Sequence, residues 1–194
     1  KNLLRNPSGG IGYHLAASYS MRGAWAPFRR ALAELLRARV ADPGSATLVI
    51  VGPSGGYCLD PAFVGGFRKV VAIDIDPLAL RIFRFRFRRP ARAIETRCED
   101  FFATVDRHAH EAAGKERRVY LFSNLLGQLE FLYAGELRAE IDRKLHKFFE
   151  SAPEWISFHD RLTTDEALFR NPRRPVVLGP FERRPDSVEL ARAW

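Results

Sequence analysis

The sequence predicts an α/β domain built on a doubly wound, mostly parallel sheet with helices on both faces, a Rossmann-like arrangement. Three observations point there. Four short runs are continuously apolar instead of alternating, as strands covered on both faces must be. Helix-patterned segments lie between them, and strand and helix taking turns along a chain mark a parallel sheet. The most strand-like run passes straight into a turn almost stripped of side chains, LVIVGPSGGYCLD (48–60).

The first helix is expected at 21–40, where Trp25, Phe28, Leu32, Leu35 and Leu36 recur at steps of three and four with arginines mostly elsewhere. DPGSA (42–46) ends it. Strands follow at TLVIV (47–51), VVAID (70–74), VYLFS (119–123) and WISFH (155–159), with a weaker one at 93–96. A helix is expected at 135–149, with Leu137, Ile141, Leu145, Phe148 and Phe149 on one face.

RIFRFRFRR (81–89) alternates Phe and Arg with period two, the pattern of a half-exposed strand. Its flanks favour a helix: Asp76 is a cap, Pro77 a first-turn residue and Pro90 a stop, and parallel strands need a crossover between them. That helix would put Phe83 and Phe87 beside Leu80 and leave Phe85 poorly accommodated. The functional alternative is a basic, aromatic strip for nucleic acid.

The chain has 194 residues, enough for one substantial core, and reads as a single domain in which 1–40 form a helical lid segment over one end of the sheet and 41–194 form the α/β body. A first residue of Lys suggests that the natural chain begins earlier. Cys58 and Cys98 are too few for a disulfide framework or a zinc cluster, and behave as small apolar residues. No apolar run approaches the roughly 20 residues that cross a bilayer, and a soluble, cytoplasmic protein without a metal is expected. The formal charge of +8 invites a nucleic-acid partner, although 26 arginines against 5 lysines can also reflect nucleotide composition.

The turn Gly52-Pro53-Ser54-Gly55-Gly56 gains meaning from its position. Where a buried parallel strand ends, free backbone N–H groups can face a ligand, and a missing Cβ lets it come close. The second strand ends in Asp74, 22 residues after Gly52, where a carboxylate can accept both hydroxyls of a ribose. The dinucleotide fingerprint G-x-G-x-x-G is not met, with Ser at 54 and Tyr at 57, which disfavours a nicotinamide oxidoreductase. Asp76 is the competing acid, with a structural task as a cap.

LVIVGPSGG, VVAIDIDP, RCEDFF and VYLFSNLLGQL, in that order, resemble the four-part pattern of the class I S-adenosylmethionine-dependent methyltransferases over residues 47–129. The resemblance implies S-adenosylmethionine as cofactor and a methyl acceptor that is a small molecule or a protein, with RNA also possible. It implies that Gly52, Pro53, Ser54, Gly55 and Gly56 pass under the methionine part and Asp74 holds the ribose. Ile75 would pack on the adenine, Asp100 accept from its amino group, Phe101 sit beside the ring, and Asn124 stand at the mouth of the transfer cleft. The chain departs from the pattern at Ile50, where the family often has an acid, at Ser54, at the start of the fourth strand, which lacks the common aspartate, and in the short segment from Val176 onward. These departures leave a non-catalytic S-adenosylmethionine- or nucleotide-binding protein of the same fold as the alternative.

Polar groups that could face an acceptor are Asn124, Gln128, His159, Asp160, Tyr13 and the neighbouring His14, the last two in a Gly-rich loop, SGGIGYH. Each has a structural alternative: Asn124 as the cap of a helix from Leu125, His159 and Asp160 as a turn, His14 as a surface histidine. Trp25 and Phe28 read as core contacts, and Arg117 and Arg118 as a solvated loop.

Overall fold

The computed structural model describes residues 10–91, 93–126, 129, 133–152 and 154–158. Gln128, His159, Asp160, most of the expected lid before α1 and the segment from Val176 lie outside them.

Among the described residues, five parallel strands, β1 (Thr47–Val51), β2 (Lys69–Asp74), β3 (Ile94–Cys98), β4 (Arg118–Ser123) and β5 (Trp155–Phe158), form one sheet in the order β3-β2-β1-β4-β5. The chain winds outward from β1 through β2 to β3, then returns to place β4 on the other side of β1. The direction reverses between β1 and β4, and the carboxyl end of that junction is where open α/β sheets bind ligands.

Side chains of successive strand residues point to opposite faces, and the core divides accordingly. Leu48, Ile50, Val70, Ala72, Val119 and Leu121 face α2 (Ala26–Arg39), α3 (Pro61–Gly65) and α4 (Pro77–Phe87). Val49, Val51, Val71, Ile73, Tyr120 and Phe122 face α5 (Val105–Ala112) and α6 (Gly135–Ser151). Both faces of β1 are therefore buried, which explains its unbroken apolar run.

The helix expected from Met21 begins at Ala26, because Pro27 starts a helix better than it continues one. Ahead of it lies a helix that the sequence reading missed. Residues read as a Gly-rich loop form α1 (Ile11–Ser20), with Gly10 as its N-cap and both Tyr13 and His14 inside it. Of the expected lid, α2 instead packs on the sheet's flank through Leu32 and Leu36.

The Phe/Arg segment is helical. Asp76 Oδ1 accepts from Leu78 N at 2.8 Å, Leu80, Phe83 and Phe87 are buried, and Phe85 is 64% exposed. In α6, Ile141, Leu145 and Phe148 are buried but Leu137 is exposed; helical period marks a face, not how far the neighbouring surface reaches. Among the described residues no helix is long and apolar enough to cross a membrane.

Candidate functional site

The chain leaves β1 through a turn in left-handed conformations. Gly52 has φ +67° and its N–H donates to Ile73 O at 2.8 Å, which suits the one residue type without a penalty there. Ser54 has φ +45° despite carrying a Cβ, and its N–H donates to Asp74 Oδ2 at 3.1 Å. The tip of β2 thus holds the turn after β1 in shape. The last two glycines serve packing: a Cβ on Gly56 would lie 2.5 Å from Phe87 and 2.9 Å from Phe83, and one on Gly55 2.8 Å from Tyr57. Their bareness admits α4 and Tyr57 against the turn.

Asp74 and Asp100 lie at the same edge of the sheet. Asp74 pairs in register with Cys98, and Asp100 follows two residues later. Asp74 Oδ1 accepts from Asp76 N at 2.9 Å, so each of its oxygens holds one backbone amide. Burial raises its pKa, opposed by those two amide bonds. Asp100 Oδ1 accepts from Phe102 N at 2.9 Å and its Oδ2 from the Tyr133 hydroxyl at 2.9 Å. Burial, then the hydrogen bond to Asp100, pushes the Tyr133 phenol up to about 12. Both carboxylates are partly buried and bonded by neutral donors.

Helix α1 lies against this edge through His14, which is buried and not a surface histidine. Its Nδ1 is 3.2 Å from the Tyr57 hydroxyl and its Nε2 3.5 Å from Asp76 Oδ2. The Arg86 guanidinium stacks over the Tyr57 ring, 4.6 Å from its centroid, and burial raises the Tyr57 pKa. These groups form a wall beside Asp74.

The other expected residues take different positions. Ile75 is 72% exposed beside Asp74, an apolar side chain left facing outward at the edge. Phe101 belongs to the core: it is 2% exposed, stacked on His108 at 4.8 Å and edge-on to Phe122 and Phe148. A ring so enclosed supports Asp100 from below instead of flanking a ligand. Asn124, half-buried at the end of β4 with φ +55°, donates its N–H to Phe158 O at 2.7 Å. Leu125 lies across from Gly52, its side chain 3.5 Å from where a Cβ on that glycine would be.

Cys98 is exposed, contrary to the expectation of a small core residue, and Cys58 is partly buried. Arg117 and Arg118 are not a solvated loop: Arg117 is fixed to Glu154 at 2.7 Å and Arg118 to Glu111 at 2.8 Å. No group of metal-ligating side chains occurs among the described residues. Tyr57 and Tyr133 were not anticipated as site residues. Tyr57 follows the double glycine, where an aromatic ring is a usable signal; Tyr133 reaches Asp100 from a distant segment and leaves no local one.

No family model matches the chain, and no curated protein matches it in sequence.

Proposed function

We propose that the chain binds S-adenosylmethionine at the carboxyl edge of the sheet and transfers its methyl group to a small molecule or a protein side chain. The observation that carries this reading is the pair Asp74 and Asp100, acids at the tips of adjacent strands that, among the described residues, neutral donors alone hold, with the apolar Ile75 exposed beside them.

The residues present fit a nucleoside. A carboxylate oxygen offers about two acceptor sites, and each oxygen of Asp74 uses one on a backbone amide, leaving capacity for ribose hydroxyls. Ile75 offers an apolar surface to a base, and Asp100 an acceptor for an exocyclic amine. The main chain of 52–56 would line the methionine part, with Asn124 at the mouth of the cleft. When bound, the sulfonium supplies an already activated methyl group, so alignment and exclusion of water are the protein's main tasks. His14, Tyr57 and Asp76 wall the ribose side, and Phe101 and His108 back Asp100 from the core.

A second reading, a non-catalytic nucleoside binder of the same fold, is favoured by Leu125, which covers Gly52 where the methionine part would run. Calorimetry with S-adenosylmethionine and S-adenosylhomocysteine, on the native chain and on Asp74→Asn, tests binding; methyl-labelled cofactor with lysate fractions tests transfer. Saturable binding lost in Asp74→Asn, with label transferred, is the expected result. Binding without label supports the second reading, and no binding of either compound overturns the methyl-transfer reading.

A further inference from the structure

We infer that the outward face of α4 is a docking surface for single-stranded nucleic acid. Arg81, Arg84, Phe85 and Arg88 follow the spacing i, i+3, i+4, i+7 and so share one side of the helix. Arg81, Arg84, Phe85 and Arg88 are all exposed. No Asp or Glu occurs between Asp76 and Glu95, and among the described residues none of the three arginines has a carboxylate within ion-pair distance. On the far side of β3 the arrangement is opposite: Arg97, Arg107 and Arg118 are each held by Glu111 or Glu99. Like charges at these spacings repel one another, so the face holds cationic charge that nothing in the described fold neutralises.

The aromatic member gives the surface its specificity. Phe85 is 64% exposed, and the Arg88 guanidinium lies 4.4 Å from its ring centroid, so ring and guanidinium together present a platform on which an unpaired base can stack. Beside it, a groove of about 280 Å³ runs between α4 and the edge strand β3, lined by Arg81, Arg84, Thr96 and Cys98. Two of the three arginines therefore border a channel able to take a sugar-phosphate backbone. A membrane surface fits less well, because a helix lying in a bilayer buries an apolar face, and that of α4, Leu80, Phe83 and Phe87, is already in the core. A duplex offers no free base for Phe85. The surface needs neither Asp74 nor Asp100, so its failure and failure of the methyl-transfer reading are separable.

Fluorescence anisotropy with labelled oligo-uridine and oligo-thymidine tests it, with a duplex and phosphatidylserine vesicles as further arms. The native chain is expected to bind both single strands, or one of them, with affinity falling steeply between about 50 and 200 mM salt. Arg81→Gln/Arg84→Gln/Arg88→Gln should weaken binding at least about tenfold at low salt and reduce the salt slope by roughly 2 if each arginine meets one phosphate. Phe85→Leu should weaken it about fivefold or more at every salt concentration without altering the slope. Arg138→Gln on α6, whose arginine is paired with Asp142, should bind like the native chain. Melting curves establish that each variant is folded, and Phe85→Leu keeps the test available should the triple variant unfold. The proposal is overturned by no binding to either strand, by tighter binding to duplex or vesicles than to single strands, by native-like affinity in either α4 variant, or by an equal loss in Arg138→Gln.

Discussion

The two ends of the sheet handle charge in opposite ways. At the amino edge, Arg117 bonds Glu154 through Nε and Nη2 at 2.7 and 2.8 Å and also the carbonyls of Asp42 and Ala41, each at 2.8 Å, tying β4, the entry to β5 and the loop before β1 together. Glu116 accepts from Thr47 Oγ1 and Arg118 Nη2, each at 2.9 Å, and pairs with Arg68. At the carboxyl edge, among the described residues, Asp74 and Asp100 receive only amides and a phenol. Acids saturated by arginine have little capacity left for a ligand and serve as clamps. Acids held by single neutral donors are oriented but still have lone pairs to offer, and that difference separates the candidate site from the scaffold.

The comparison can be broken most forcefully inside the turn itself. Gly56→Ala would place a Cβ in a left-handed conformation and against Phe87, costing about 3 kcal/mol, and thermal melting should show a drop of roughly 10 °C. A native-like melt would mean that α4 does not rest on the turn. Asp74→Asn should weaken S-adenosylmethionine by at least about tenfold, the effect of losing a hydrogen bond to a charged group, as read by calorimetry. Glu116→Gln at the opposite edge should lower stability by about 1 kcal/mol, a partly exposed network being worth little more, and leave cofactor affinity unchanged; a matching loss of affinity would erase the distinction between the edges.

The smallest effect is in pH dependence, where the two edges have opposite signs. Burial pushes Glu116 up, but the Thr47 hydrogen bond and the charges of Arg118 and Arg68 outweigh it and leave its pKa below the ordinary 4.5. Its stabilisation is therefore present above that value and lost as pH falls through the lowered one. Asp74 is raised above 3.8, chiefly by burial, so its contribution is present below that value and lost as pH rises through the raised one. Denaturant unfolding from about pH 3 to 7 should show the deficit of Glu116→Gln vanishing in acid, while Asp74→Asn gains relative to the native chain as pH rises.

Much of the scaffold was legible because its signals are local. β1 matches its apolar run residue for residue, and the Asp76-Pro77 cap outweighed the period-two pattern of 81–89 because cap geometry acts within a few residues. The carboxylate at 74 was legible from its place after an apolar run, and that at 100 only through the resemblance, since the strand before it, IETRC, is not an apolar run. Helix α1 was not, since its mean pattern is weakly amphipathic and its anchors, Tyr57 and Asp76, are distant in sequence. Phe101 was misplaced for a related reason: an aromatic next to a candidate acid looks alike from sequence whether it turns outward or inward, and the stack with His108 decided it.

By itself the sequence determined the parallel sheet, three of its helices, α2, α4 and α6, and the acid that ends the second strand, because continuous apolar runs, caps and breakers are rules of neighbouring residues. Tertiary structure alone decided what each bare or polar residue is for: that Gly56 makes room for Phe83 and Phe87, that Asp74 holds Ser54, and that Tyr133 reaches Asp100. Those roles depend on which atoms meet across the sheet's carboxyl edge, a distance in space that no spacing along the chain encodes.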